Sequence, residues 1–130
     1  MIVLDASAVV DWLLQSSTGQ RIESRIYSHN ESLHAPHLLD LEVAQVLRRL
    51  TRDETVSANR ADEAIRDLMD VRITRYPHFV LLPRVWQLRH NLSAYDAAYV
   101  GLAEKLGATL ITADRRLASA SGNWARIELF

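Results

Sequence analysis

The sequence contains no cysteine, one lysine, four glycines and three prolines among its 130 residues. Without cysteine the chain has no disulfide framework and no thiolate metal site. It has neither a glycine-rich phosphate-binding loop nor a serine nucleophile elbow, so two common enzyme types are excluded. No basic leader or long apolar run is present, so we expect no signal peptide and no membrane span. These features fit a cytoplasmic protein with one domain, residues 1–130.

The charged residues are balanced, with 15 basic and 16 acidic side chains and a net charge of −1, which by itself indicates no partner. The basic residues are almost all arginine, and they include the adjacent pairs Arg48–Arg49 and Arg115–Arg116. Arginine binds phosphate through a planar fork of donors, so these four are candidate phosphate contacts. Charge clusters are more often solvated surface, and that alternative stays open for each pair.

Strand patterns alternate with helix patterns, which predicts an α/β fold: a three-layer α/β/α sandwich with a mostly parallel central sheet. Strands are predicted at 1–4, 32–35, within 72–82, at 108–112 and near 126–129. Helices are predicted at 8–14, 20–29, 38–50, 61–71, 84–90, 94–106 and 115–120. The polar stretches 16–19 and 51–59 are predicted to be a turn and a connector. Pro36 and Pro83 are expected to begin helices.

Helical spacing places Trp12, Trp86 and Tyr99 at apolar positions, so we expect all three in the core. The pair His34 and His37 lacks a third nitrogen or sulfur ligand, and we expect it at the surface.

Four carboxylates lie far apart in sequence, at positions that an α/β fold brings to one edge of its sheet. Asp5 ends the first strand and Asp114 follows strand 108–112, whereas Glu42 and Asp96 lie near the N-terminal ends of predicted helices. Helices that return across a parallel sheet begin at the carboxyl ends of its strands, where such folds build their sites. Four like charges there repel one another unless cations hold them, and all-oxygen ligands suit Mg²⁺ or Mn²⁺. The pattern predicts a divalent-metal site for phosphoryl chemistry.

Each acid also has a structural explanation. Asp5 and Asp114 suit helix N-caps, Asp96 could complete a capping box with Ser93, and Glu42 could be an ordinary solvated residue. The combination favours a metal site, because an unpaired carboxylate is costly to bury and three capping acids at one edge would be a poor arrangement for stability.

Two hydroxyl residues lie two positions from an acid: Ser7 follows Asp5, and Thr112 precedes Asp114. We consider them candidates for orienting a carboxylate or a bound water, with simple capping as the alternative.

Four segments resemble the signature segments of PIN-domain proteins, most closely the VapC toxins of bacterial toxin–antitoxin pairs. They are Asp-Ala-Ser-Ala-Val at 5–9, the helix segment 38–49, Leu-Ser-Ala-Tyr-Asp-Ala-Ala-Tyr within 92–103, and Thr-Ala-Asp-Arg-Arg-Leu at 112–117. The resemblance implies a Mg²⁺-dependent endoribonuclease, with Mn²⁺ expected to substitute, that acts as the toxin of a type II pair. It also implies an RNA substrate, a cognate VapB-like antitoxin, a homodimer and a toxin–antitoxin hetero-oligomer.

The acidic quartet of the family carries over onto Asp5, Glu42, Asp96 and Asp114 as the catalytic and metal-binding residues. Some PIN nucleases have a further acid just after the last one, and here Arg115 and Arg116 occupy those places. With an RNA substrate, these arginines, together with Arg48 and Arg49, become candidate contacts to RNA phosphates.

Hydrolysis by an activated water predicts products with a 3′-hydroxyl and a 5′-phosphate. We expect Asp5 and Asp96 to be direct ligands, Asp114 to act as a ligand or through water, and Glu42 to act as a ligand or to position the attacking water. The alternative function is a catalytically inactive PIN fold that binds RNA or protein. A phospho-receiver or a haloacid-type phosphatase fits less well, since each needs a second acid at the first strand and Ser7 stands where the phosphatase would have one.

Overall fold

Five short strands form one sheet in the computed structural model, which describes residues 1–130. The strands in chain order are β1 (Ile2–Leu4), β2 (Leu33–Pro36), β3 (Ile73–Tyr76), β4 (Thr109–Thr112) and β5 (Arg126–Leu129). Their order across the sheet is β3-β2-β1-β4-β5, and all four pairings are parallel. All three residues of β1 are fully buried, as in a strand that is covered on both faces.

Seven helices cover the sheet. They are α1 (Ala6–Leu14), α2 (Ser17–Ser28), α3 (Leu38–Arg52), α4 (Ala58–Asp70), α5 (Leu82–Gln87), α6 (Ala94–Leu106) and α7 (Arg115–Ala118), with a 3₁₀ turn at Phe79–Leu81. Right-handed crossovers put α1 to α4 on one face and α5 to α7 on the other. The packing agrees, because α1 contacts α2, α3 and α4 whereas α5 packs on α6. The predicted three-layer sandwich is therefore confirmed. None of these helices has the length and apolar character that a bilayer crossing needs.

The winding of the sheet reverses between β1 and β4. The chain runs outward from β1 to β2 and β3, and then returns to β4, which pairs with the other side of β1. Leu4 is in register with Ile111, so the two strands end side by side. The carboxyl edge at such a reversal is where open α/β sheets leave a crevice for a ligand.

Two predicted loops were wrong because polar residues begin helices there. Ser16 is the N-cap of α2, and its hydroxyl accepts a hydrogen bond from the Gly19 N–H at 3.0 Å. The connector 51–59 shrinks to residues 53–57, since α3 continues to Arg52 and Ser57 caps α4. Clusters of serine, threonine and asparagine serve as caps as readily as turns, and local sequence does not separate the two uses.

Both proline predictions need adjustment. Pro36 does not begin α3; it is the last residue of β2, paired with Tyr76, and the helix begins at Leu38. Pro83 lies in the first turn of α5, as expected, but this helix starts at Leu82 and ends at Gln87, short of the predicted 90.

The core prediction was correct for Trp12 and Tyr99, which are 7% and 1% exposed, and wrong for Trp86, which is 68% exposed. Trp86 lies on the outer side of the short α5, whose inner side faces α6. The surface prediction for His34 was also wrong. This residue is 7% exposed, and its ring nitrogens hydrogen-bond to Ser32 and Tyr76.

Candidate functional site

Asp5 is the most deeply placed acid at the carboxyl edge of the sheet, with 5% of its surface exposed. It follows β1 and is the N-cap of α1, where it accepts a hydrogen bond from the Ala8 N–H at 2.9 Å. It also accepts hydrogen bonds from the hydroxyls of Ser7, at 2.7 Å, and Thr112. Capping therefore accounts for only one of the three bonds that fix this carboxylate.

Ser7 and Thr112 connect the end of β1 to the end of β4. The Ser7 hydroxyl accepts a hydrogen bond from the Ala113 N–H at 3.0 Å and lies 3.3 Å from the Thr112 hydroxyl. The Thr112 hydroxyl accepts from the Asp114 N–H at 2.9 Å. Both hydroxyls thus bind Asp5 and, at the same time, hold the backbone from which Asp114 projects.

Asp96 and Asp114 each begin a helix at this edge. The Ser93 hydroxyl caps α6 by accepting from the Asp96 N–H at 3.1 Å, and the half-buried Asp96 carboxylate makes no ion pair. Asp114 caps α7 by accepting from the Arg116 N–H at 2.9 Å, and the exposed Arg116 guanidinium stands 3.7 Å from the same carboxylate. The N-cap role considered for Asp114 is present and leaves one carboxylate oxygen free. The capping box considered for Asp96 is not completed, because only its backbone N–H, and not its carboxylate, bonds to Ser93.

Glu42 reaches the site from α3 and is held by Tyr99. The Tyr99 hydroxyl, almost fully buried on α6, donates a hydrogen bond to Glu42 Oε1 at 2.6 Å. The apolar spacing of the sequence places Tyr99 in the core correctly but does not predict this contact. The available signal was spacing: Tyr99 follows Asp96 by three residues, and residues three apart share one face of a helix.

The charges of these four acids act on one another, and we call Asp5, Glu42, Asp96 and Asp114 the acidic cluster. Burial raises the pKa of Asp5 to about 6 against the hydrogen bonds from Thr112, Ala8 and Ser7, and the charge of Asp96 adds to the rise. Burial and then the charge of Asp114 raise the pKa of Asp96. Burial also raises the pKa of Glu42, with a further contribution from Asp96. The ionised cluster is therefore destabilised by desolvation and mutual repulsion.

Several acids elsewhere in the chain pair closely with arginines, whereas three acids of the cluster have no basic partner. Bonds of 2.6–2.9 Å pair arginines with acids away from the cluster: Arg25 with Glu31 and Glu128, Arg75 with Asp40, and Arg84 with Glu104. Asp5, Glu42 and Asp96 have no arginine, lysine or histidine within 4.0 Å. Neutral hydroxyls hold Asp5 and Glu42 instead. These hydroxyls fix the carboxylates of Asp5 and Glu42 and leave their negative charge in place.

This donor set fits a hard divalent cation. It consists of carboxylate and hydroxyl oxygens, the ligands that Mg²⁺ and Mn²⁺ prefer. No three acidic or histidine side chains of the chain are placed to contact one ion together. The fit to a cation therefore rests on the chemistry of the donor oxygens and not on a preformed set of ligands. The electrostatic penalty at the cluster is of the kind that a cation would remove.

The candidate arginines divide into two locations. Arg115 and Arg116 open α7 directly after Asp114 and are exposed, and the charge of Arg116 acts on Asp96 to lower its pKa. Arg48 and Arg49 are exposed in the second half of α3, roughly 10 Å along the helix axis from Glu42. The structure brings the first pair to the acidic cluster and leaves the second pair away from it.

Comparison with known proteins gives a consistent result. The family model for the PIN domain matches residues 2–123. Ribonuclease VapC9 of Mycobacterium tuberculosis is 44% identical over 117 residues, which are 90% of this chain and 88% of that protein. PAE2754 from Pyrobaculum aerophilum superposes with a TM-score of 0.70 at 24% identity, covering 97% of this chain and 81% of the other. Mycobacterium tuberculosis VapC20, a sarcin-ricin loop cleaving toxin, gives 0.66 at 15% identity, covering 92% and 94%. These two structures share the fold.

Proposed function

The chain belongs to the PIN-domain family, among the VapC ribonucleases, and from this premise we propose that it is a Mg²⁺-dependent endoribonuclease, the toxin of a type II toxin–antitoxin pair. One observation carries the proposal. Asp5, Glu42 and Asp96 are half-buried or buried at the sheet reversal, repel one another and have no basic partner. Such an arrangement destabilises the fold unless a cation binds. Active sites commonly lose stability in this way, so the arrangement supports a functional site.

The residues of the chain divide the work of hydrolysis. A bound Mg²⁺ supplies charge neutralisation at phosphorus and favours ionisation of a nearby water. Asp5 and Asp96 would be the direct oxygen donors to the ion, and Asp114 would act directly or through a water. Glu42 is a further donor or positions the attacking water. Ser7 and Thr112 orient Asp5. Attack by water with the 3′-oxygen as the leaving group gives products with a 3′-hydroxyl and a 5′-phosphate.

The surroundings of the cluster support the RNA substrate. Arg115 and Arg116 are exposed beside Asp114 and contact RNA phosphates in this proposal, with the planar fork that suits phosphate oxygens. The more distant Arg48 and Arg49 contact the RNA further from the scissile bond. Relatives that are 37–44% identical are named VapC ribonucleases.

Protein partners follow from the same family. We expect a VapB-like antitoxin to suppress cleavage, and we expect a homodimer that joins it in a hetero-oligomer. Exposed apolar side chains support self-association: Phe79, Leu82 and Trp86 are 81%, 53% and 68% exposed, at spacings of three and four residues. Residues so spaced share one face of a helical segment, and a contiguous exposed apolar face is typical of an interaction surface.

Brief expression in a bacterial host, followed by mapping of cellular RNA 5′ ends, tests the function. New 5′ ends at a limited set of sites are expected with the wild type and not with Asp5→Asn. Asp40→Asn is a matched control, because Asp40 pairs with Arg75 away from the cluster. RNA that copurifies with the protein without new 5′ ends would instead support the inactive binding module. Co-expression of a small gene adjacent to this one should suppress the new ends.

A further inference from the structure

The hydroxyl of Tyr99 is the feature of the site that the cluster itself does not explain. The Tyr99 ring packs in the core with 1% of the residue exposed. Its hydroxyl donates to Glu42 Oε1 at 2.6 Å, across 57 residues of chain, and so joins α6 to α3. Buried tyrosine hydroxyls usually find a partner, but a backbone carbonyl would satisfy this one equally well. Here the partner is a carboxylate of the acidic cluster.

Glu42 has no other side chain to hold it in place. It forms no ion pair, and Tyr99 is the only side chain that donates a hydrogen bond to it. Glu42 is only partly buried, and the charge of Asp96 repels its carboxylate. A freely rotating glutamate in that position would turn its carboxylate toward water. The O–H···O distance of 2.6 Å lies in the range of charge-assisted hydrogen bonds, which are about twice as strong as neutral ones.

We propose that Tyr99 is a positioning residue: it holds the Glu42 carboxylate at the acidic cluster, as Ser7 and Thr112 hold Asp5. This inference rests on the proposed nuclease function. A neutral donor fixes the carboxylate without cancelling its charge, which an arginine in the same place would do. Because Asp96 and Tyr99 lie on one face of α6, that helix supplies one acid of the cluster and aligns another.

Tyr99→Phe tests the inference, since it removes the hydroxyl and keeps the ring in the core. We expect kcat for RNA cleavage to fall by about 10- to 100-fold, with KM changed less than threefold, because displacement of a catalytic group by about 1 Å can cost roughly 100-fold. Tyr76→Phe is the matched control. This variant also removes a tyrosine hydroxyl, but the lost hydrogen bond is the one to His34 at 2.8 Å and does not involve the acidic cluster. It should therefore leave kcat unchanged.

A double-mutant cycle separates positioning from packing. Tyr99→Phe should cause no further loss when Glu42 is already alanine, because its effect passes through that carboxylate. A crystal structure of Tyr99→Phe should show the Glu42 carboxylate displaced or disordered. The inference is overturned by wild-type kcat in Tyr99→Phe, by equal losses in both backgrounds, by an unmoved Glu42, or by a variant that does not fold. A wild-type protein that cleaves no RNA would instead overturn the proposed function.

Discussion

At the scale of single residues, the site depends on carboxylates whose charge is retained in unfavourable surroundings. Asp5 is 5% exposed and is fixed by three hydrogen-bond donors, none of which carries a charge. Asp96 is half-buried beside it, and its charge acts on both Asp5 and Glu42. The hydroxyls and the backbone N–H that fix Asp5 therefore set the positions of its oxygens without cancelling its charge.

The first prediction concerns Asp5 and Asp96 as partners in one metal site. Asp5→Asn and Asp96→Asn should each lower kcat by about 100-fold or more, since loss of one group that stabilises charge typically costs that much. The double variant should be scarcely slower than either single one, because the two acids act as a unit. Single-turnover cleavage measures all three. Near-wild-type kcat in one single variant would remove that residue from the site.

The second prediction uses the pKa of Asp5, which burial raises from 3.8 to about 6. The folded protein then binds the Asp5 proton more tightly than the unfolded chain does. Asp5 therefore adds no penalty below about pH 4, and destabilises the fold increasingly as the pH rises to about 6. Above that pH, the ionised Asp5 lowers the free energy of unfolding by about 3 kcal/mol.

Asp5→Asn removes that charge and keeps an N-cap residue. In EDTA, its free energy of unfolding should rise relative to wild type between pH 4 and pH 7, by up to about 3 kcal/mol. Urea denaturation at several pH values measures the difference. A difference that stays constant with pH would show that Asp5 is not held with a raised pKa.

The sequence was enough to identify the four acids, but it did not reveal all the side chains that hold them in place. Asp5 and Asp114 could be placed because strand ends are recognisable from apolar runs followed by a carboxylate. Tyr99 was assigned to the core correctly, yet its bond to Glu42 was missed, because contacts between helices 57 residues apart leave no local pattern. Arg48 and Arg49 are candidate RNA contacts by their charge alone, but they lie in the second half of α3, away from the acidic cluster.

At the scale of elements, the N-terminal ends of helices build the site. Helices α1 and α7 begin directly after Asp5 and Asp114, α6 begins two residues before Asp96, and α3 begins four residues before Glu42. The positive end of each helix dipole lies near the carboxylates and offsets part of their repulsion.

The third prediction compares two caps. Ser93 caps α6 at the cluster and Ser57 caps α4 away from it, each by accepting one backbone hydrogen bond of 3.1 Å. Ser93→Ala and Ser57→Ala should each destabilise the protein by about 1 kcal/mol. Only Ser93→Ala should also lower kcat, because the same turn presents Asp96. Thermal melts and cleavage rates measured on both variants test this prediction. Equal kcat values in the two variants would show that the Ser93 cap does not affect the acidic cluster.

The bounds of helices were predicted correctly where capping residues and apolar spacing agreed. They were wrong where polar residues suit both a helix cap and a turn. Helix α6 has the predicted bounds, since Ser93 marks its start and Gly107, with a φ of 60°, its end. The N-terminus of α2 was missed because its Ser-Ser-Thr-Gly sequence also suits a turn. Trp86 was misplaced because α5 is too short for helical spacing to identify its inner side.

At the scale of the whole molecule, the order of the strands explains why four distant acids meet. The chain winds outward from β1 to β3 and returns to β4, so the segments after β1 and β4 become neighbours although they are more than 100 residues apart. The alternation of strands and helices predicts a parallel sheet, but strand order depends on how the layers pack, and sequence pattern does not fix it.

The ends of the RNA products test the central claim most directly, that the acidic cluster holds a divalent ion and cleaves RNA with water. Purified protein should cut RNA in Mg²⁺, stop in EDTA and resume when Mg²⁺ is added in excess. The fragments should carry a 5′-phosphate and a 3′-hydroxyl, identified by mass spectrometry and by ligation. Cleavage that continues undiminished in EDTA, or fragments that end in a 2′,3′-cyclic phosphate, would contradict it.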